Sequence, residues 1–213
     1  MLGSTQSFGQ VYTKAKWSVI KMDSTFDHAQ GKATKVVDGH NATSPMLLKP
    51  VGKCNEEIKY HQLSDFVTGL MLDYTTQRLI RATKNPQAKA DLAIVKFRNS
   101  NSCIPAGDVT PLDIISLFPI DNQLVILDLK GKDLRELIKI SVKDGAVSSM
   151  AEEHIEDNHL YKVTTIDCLL KGNAGSNIMK RAEKLDNCNT PLCNMLIMHL
   201  KKLTQKGDII INK

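Results

Sequence analysis

Two short runs dominated by apolar side chains, LAIVKF at residues 92–97 and LVILDL at 124–129, constrain this chain more than any other feature. Each is too short for a helix that could support itself and too uniformly apolar for a half-exposed strand. Both therefore read as strands covered on both faces. Between them lie a polar loop at 98–102, a Pro105-Ala106-Gly107-Asp108 turn, and a short helical segment from Thr110 to Leu117. Another helix follows Gly131-Lys132. Strand, loop, helix, strand, helix is the arrangement in which an open sheet offers strand ends and helix starts to a ligand.

The rest of the chain supplies partners for those strands. Residues 16–22 read as a strand, 27–45 as a polar loop or weak helix, and 46–52 as a strand or extended lead-in broken by Pro50. From Gln62 to Lys84 the apolar residues Leu63, Phe66, Val67, Leu70, Met71, Tyr74, Leu79 and Ile80 keep a helical period, stopped at Asn85-Pro86. Residues 143–160 are polar and loop-like. A strand is expected over 161–168 and a helix from Ser176 to about Leu185. A last helix is expected with Thr190 as cap and Pro191 at its first position, ending at Gly207, followed by a strand at 208–212. Alternating strands and helices give an α+β (mixed α/β) fold: one compact domain with a mixed sheet flanked by helices. It spans residues 47–213. An N-terminal strand-and-loop extension occupies 15–46, and 1–14 form a disordered or signal-remnant segment.

Charge narrows the partners. The chain has 28 basic and 23 acidic residues, interspersed, and aromatics make up only 5%. No basic stripe with interleaved aromatics runs along it, which argues against nucleic acid. No run reaches membrane-spanning length. Five cysteines are an odd number, and Cys188 and Cys193 read equally as a local disulfide or as two buried thiols. The first ten residues read either as the tail of a secretory signal or as a cytosolic terminus.

Motifs of chemistry are sparse. Asp38-Gly39-His40 mimics the first metal-binding turn of a metallophosphatase, but no further Asp, Asn and His ligands follow, so it reads as a chance match. The run from Glu152 to His159 is rich in possible ligands and reads as solvated surface. Gly172-Asn173-Ala174-Gly175-Ser176 is either a structural turn or an anion cradle at a helix start. His61 and His199 read as structural residues without evident partners. There is no nucleophile elbow, P-loop or dinucleotide fingerprint.

Several segments, taken in order, carry a resemblance: ADLAIV at 90–95, IPAGDVT at 104–110, FPIDN at 118–122, LKGKDL at 129–134, YKVTT at 161–165 and GNAG at 172–175. Residues 47–212 resemble the C-terminal, substrate-binding domain of the 5'-nucleotidase family, which in full-length members follows a metallophosphatase domain. The resemblance implies substrate-binding positions at Arg98, Asn99, Asn101, Ile120, Asp121, Asn122, Cys168 and Asn173. It also implies altered chemistry there. The family's nucleotide-holding arginine falls on Asn101, its two base-stacking aromatics on Ile120 and Cys168, and its acidic turn residue on Ala174. Stacking contributes about 1–3 kcal/mol per base, and asparagine lacks the bidentate fork of arginine. The expectation is a stand-alone, non-catalytic relative that binds a separately encoded metallophosphatase or an altered ligand. Its chain has no cofactor of its own, and divalent metal resides only in such a partner. The alternatives are a nucleotide-binding accessory subunit of a split hydrolase and a structural envelope module. The resemblance and the signal-like start together suggest the periplasm or cell surface.

Overall fold

The computed structural model describes residues 45–118 and 122–206, with backbone alone at 172–174. The expectations for residues 1–44, including the 16–22 strand and the Asp38-Gly39-His40 turn, and for the 208–212 strand lie outside the described residues.

A five-stranded sheet is built from β2 (Leu92–Lys96), β4 (Gln123–Lys130), β5 (Ala146–Ser148), β6 (Leu160–Ile166) and β7 (Lys184–Pro191), in the order β5-β2-β6-β4-β7. β2 and β6 are parallel, whereas β5 on β2, β4 on β6 and β7 on β4 are antiparallel. A small ribbon joins β1 (Gly52–Cys54) to β3 (Gly107–Val109). This is the mixed sheet flanked by helices that the apolar runs require. Leu92, Ala93, Ile94 and Val95 are all fully buried, as are Val163, Thr164, Thr165 and Ile166 in the middle of the sheet. The two central threonines are satisfied: Thr75 donates to Thr164 Oγ1 at 2.9 Å, and Thr165 donates to the Ile94 carbonyl at 3.1 Å.

The long helix α2 (Tyr60–Thr83) lies on the Thr164 face of the sheet. Its buried stripe Leu63, Val67, Met71, Thr75 and Leu79 repeats every four residues, the spacing that keeps one helix face against a sheet. Lys84, with φ 54°, caps it in the left-handed region. Tyr161 points to the opposite face, where α4 (Gly131–Lys143) buries Leu134, Leu137 and Ile138. Two more helices complete the layers, α5 (Gly172–Arg181) packed on α4 and α6 (Leu192–Lys206) packed beside β7 and β1. The short helix α3 (Pro111–Ser116) starts at a reciprocal cap: Asp113 N–H donates to Thr110 Oγ1 at 3.3 Å, and Thr110 N–H donates to Asp113 Oδ2 at 2.7 Å.

Four expectations are corrected. Residues 46–52 are not a strand: a single helical turn, α1 (Pro45–Leu48), precedes β1. Within 143–160, which reads as loop, Gly145 turns at φ 82° into the edge strand β5. The expected 176–185 helix runs instead over Gly172–Arg181, and the chain then forms β7, which the sequence did not suggest. Pro191 therefore ends a strand rather than opening α6. Thr190 Oγ1 donates to the Cys188 carbonyl at 3.1 Å instead of capping the helix. Strands β5 and β7 are edges, and in β7 only Cys188 is buried, so neither shows the apolar run of a central strand. Cys188 remains a thiol, which rules out the Cys188–Cys193 disulfide.

Candidate functional site

Strand directions decide which of the expected residues meet. β2 and β6 run parallel and β4 opposes them, with Leu124 opposite Ile166. The loop after β2, the residue before β4 and the turn after β6 therefore share one end of the sheet. Arg98, Asn99, Asn101, Asn122, Cys168 and the start of α5 are gathered there. Ile120 and Asp121 lie outside the described residues, and Asn173 is described only as backbone in the first turn of α5.

Arg98 is taken up by the protein itself. Its guanidinium donates from Nε to the Ser116 carbonyl at 2.9 Å and from Nη2 to the Phe118 carbonyl at 2.7 Å, while its backbone N–H reaches the Leu117 carbonyl at 2.7 Å. A six-residue helix ends with several carbonyls lacking internal donors, and a cation at that end also opposes the helix dipole. Arg98 thus closes the C-terminus of α3. Beneath it, Phe97 stacks on Phe118 with centroids 5.5 Å apart, and Tyr60 meets Phe97 edge-on at 5.5 Å. These aromatics near the sheet end face the core: Phe97 and Phe118 are 2% and 1% exposed.

Asn99 and Asn101 shape the loop. Asn101 N–H donates to Asn99 Oδ1 at 2.9 Å, and Ser102 N–H returns to the Asn99 carbonyl at 3.2 Å. Asn122 is different. Its side chain is completely buried, and neither its amide nitrogen nor its amide oxygen has a hydrogen-bond partner, although its carbonyl accepts from Leu192 N–H at 2.8 Å. A buried primary amide left unmatched costs about 1–3 kcal/mol. Among the described residues it is one of two buried side chains with unmatched polar atoms, the other being Ser141.

Cys168 is half-buried in the turn after β6. Burial, followed by the neighbouring Asp167 carboxylate, pushes its thiol up, so it stays protonated at neutral pH. The two ammonium groups whose charges it feels are both engaged. Lys171 pairs with Asp167 at 2.8 Å, and Lys96 pairs with Asp144. Asp167 also accepts from Gln123 N–H at 3.0 Å, tying the start of β4 to the end of β6. The Lys96–Asp144 and Gln123–Asp167 contacts have no local signature, since nothing in the sequence links residue 96 to 144 or 123 to 167.

Two glycines of the motif segments are explained by backbone contact. A Cβ on Gly175 would lie 2.4 Å from the Leu169 carbonyl oxygen and 2.9 Å from Leu170 backbone atoms. A Cβ on Gly131 would lie 1.9 Å from the Glu156 carbonyl oxygen. Gly175 thus lets α5 fold back on the preceding turn, which favours the structural-turn reading of that glycine over the anion cradle. Gly131 lets the 155–159 loop cross the start of α4. There, Gly131 N–H donates to the His159 carbonyl at 2.9 Å and Lys132 N–H to the Asp157 carbonyl at 3.0 Å. Within the 152–159 cluster, Glu152 pairs with Lys139 at 2.9 Å, Asp157 pairs with Arg135, and His159 packs edge-on to Tyr161. Among the described residues no three carboxylate, histidine or cysteine side chains come together as a potential metal site. His199, expected to lack a partner, packs against the Phe66 ring at 6.1 Å.

Comparison with known proteins follows the same segments. The family model for the 5'-nucleotidase C-terminal domain matches residues 39–152. Protein UshA of Yersinia enterocolitica is 24% identical over 109 residues, which cover 51% of this chain and 18% of that protein. A 5'-nucleotidase of Vibrio parahaemolyticus is 30% identical over 78 residues, 35% of this chain and 14% of the relative. The chain therefore spans less than a fifth of the length of these relatives. Among solved structures, a 5'-nucleotidase precursor from Thermus thermophilus superposes with TM-score 0.64 at 16% identity, covering 80% of this chain and 40% of that one. A 5'-nucleotidase from Staphylococcus aureus, itself described as putative, gives 0.51 at 14% identity, with coverages of 84% and 42%. With a family match over more than half of its residues and a shared fold over four-fifths of them, this chain belongs to the 5'-nucleotidase C-terminal domain family.

Proposed function

We propose that this domain is a non-catalytic binding module of the 5'-nucleotidase family, which docks with a metallophosphatase or holds a ligand other than a nucleotide. The observation that carries this reading is the engagement of Arg98. The one cation in the 97–102 loop commits its Nε and one Nη2 hydrogen to the carbonyls of Ser116 and Phe118, which anchors the guanidinium at the end of α3 and leaves only its outer edge for a ligand. The aromatic rings at the sheet end stack on one another in the core, and Cys168 presents a neutral thiol where the family resemblance places an aromatic. Hydrolysis would need a metal-binding domain contributed from outside the described residues. The likeness to a 5'-nucleotidase described as a precursor supports a periplasmic or cell-surface setting. Calorimetric titration of the whole chain with AMP, adenosine and a UDP-sugar tests the binding claim. The expected result is no dissociation constant below about 1 mM, the level set by some 4 kcal/mol of binding energy.

A second reading, a nucleotide-binding accessory subunit, is favoured by Asn122. Its unpartnered buried amide is the kind of group that a base edge or ribose hydroxyl satisfies. Saturable binding of adenosine that is lost in Asn122→Leu would select this reading over the first.

A further inference from the structure

A cavity of about 790 Å³ lies between α2, α6 and the edge strand β7. None of Arg98, Asn99, Asn101, Asn122 and Cys168 lines it. Its volume falls in the range of small-molecule sites, about 300–1,000 Å³. The wall from α2 is one helical stripe, Leu70, Tyr74, Arg78 and Arg81, spaced by four, four and three residues. The wall from α6 is another, Met195, Met198 and Lys202. Two contacts show that the helices run in opposite directions. Phe66 meets His199, and eight residues later along α2 the Tyr74 hydroxyl meets Thr190 Oγ1 at 2.9 Å. Met195 therefore lies between these two contacts, Met198 lies beside His199, and Lys202 lies beyond it, away from Arg78.

Charge divides the cavity along that axis. At one end lies Lys202, whose charge, like that of Asp73, is felt by the half-buried His199 ring. At the other, the guanidiniums of Arg78 and Arg81 and the Asp186 carboxylate line the wall. Arg78 reaches Asp186 at 3.3 and 3.5 Å, long contacts between side chains that are 37% and 42% exposed, and its remaining N–H groups are uncommitted. Arg81, one turn further along α2, has no ion-pair partner among the described residues. An excess of positive charge thus sits in a cavity with an apolar wall, in which Met198 is 59% exposed. Methionine adapts to apolar bodies of irregular shape, and paired guanidiniums select acidic heads.

We propose that this cavity binds a soluble amphipathic organic anion: an acidic head held by Arg78 and Arg81, with its apolar body against Met195, Met198 and the Tyr74 ring. This site is independent of the sheet-end reading and stands whether or not a nucleotide binds there. Hexyl phosphate, hexanol and inorganic phosphate are the probes, followed on the whole chain by amide chemical-shift changes and calorimetry. Hexyl phosphate is expected to bind at least about tenfold more tightly than either fragment, with shifts centred on α2 and α6. The double variant Arg78→Gln/Arg81→Gln removes the head contacts, and Met198→Glu places a like charge against the ligand body. Each is expected to weaken hexyl phosphate at least about tenfold. These side chains are exposed or half-exposed, so the fold persists, as an unchanged melting profile would verify. Equal affinity for hexanol, an unchanged dissociation constant in the double variant, or uptake on anionic phosphatidylglycerol vesicles without binding of free hexyl phosphate would each overturn the proposal.

Discussion

Replacing Arg98 separates a structural arginine from a ligand-binding one. Arg98→Ala removes two charge-assisted hydrogen bonds that close α3. In a dry site such bonds contribute about 1.5–3 kcal/mol each. Here Ser116 is exposed and water can replace its donor, which reduces that contribution to a few tenths of a kcal/mol. The Phe118 contact is part-buried, and Phe118 itself is 1% exposed, so its carbonyl is poorly reached by water. The sum is about 1–2 kcal/mol, or roughly 2–8 °C in melting temperature for a chain of this size. Arg98→Lys is expected to recover less than half, since one ammonium cannot span both carbonyls in a plane. Urea unfolding followed by circular dichroism, with AMP titrated in parallel, gives the comparison. Loss of stability with no change in ligand behaviour supports the account. Unchanged stability combined with loss of a measurable AMP affinity would refute it.

Three further perturbations test separate parts of the argument. Gly131→Ala forces a methyl into the Glu156 carbonyl at 1.9 Å and Gly175→Ala into the Leu169 carbonyl at 2.4 Å. Each should cost about 3 kcal/mol or more, because backbone rather than a flexible side chain must move; melting temperatures within a degree of wild type would contradict the close approach. Asn122→Leu exchanges an unsatisfied buried amide for an apolar group of similar size and should leave stability equal or raise it by about 1 kcal/mol, read by the denaturation midpoint. A clear loss would mean that the amide has a partner. His199, packed on Phe66 and facing Lys202, Lys206 and Asp73, has its pKa lowered first by burial and then by Lys202. The unfolded chain therefore takes up this proton first on acidification. Its stability contribution is intact above the ordinary value of 6.5 and falls away as the pH drops through the lower, folded value. His199→Gln should flatten that part of the stability profile, and an unchanged slope would remove His199 from the acid response.

The central sheet was legible because strands buried on both faces must be apolar throughout. Leu92 to Val95 and the run starting at Leu124 satisfy that rule almost without interruption. Helix α2 was legible because its stripe at Leu63, Val67 and Met71 keeps one spacing, and the Thr110-Pro111 start because capping is local. Strands β5 and β7 were not. A three-residue edge strand and the segment KLDNCNTP hold their shape through pairing with β2 and β4, contacts that carry no local signature. The site divides along the same line. Its position at the sheet end follows from motif order, whereas the role of Arg98 depends on carbonyls 18 and 20 residues away. The charge inventory of that loop was visible in the sequence, but its occupancy was not.

The central claim is that the sheet end keeps the nucleotidase frame without a preorganised nucleotide site. Calorimetric titration of the whole chain with AMP at millimolar concentration, with Arg98→Ala beside it, addresses that claim most directly. The account predicts no saturable heat for either protein. Saturable AMP binding tighter than about 1 mM in wild type, abolished by Arg98→Ala, would contradict it.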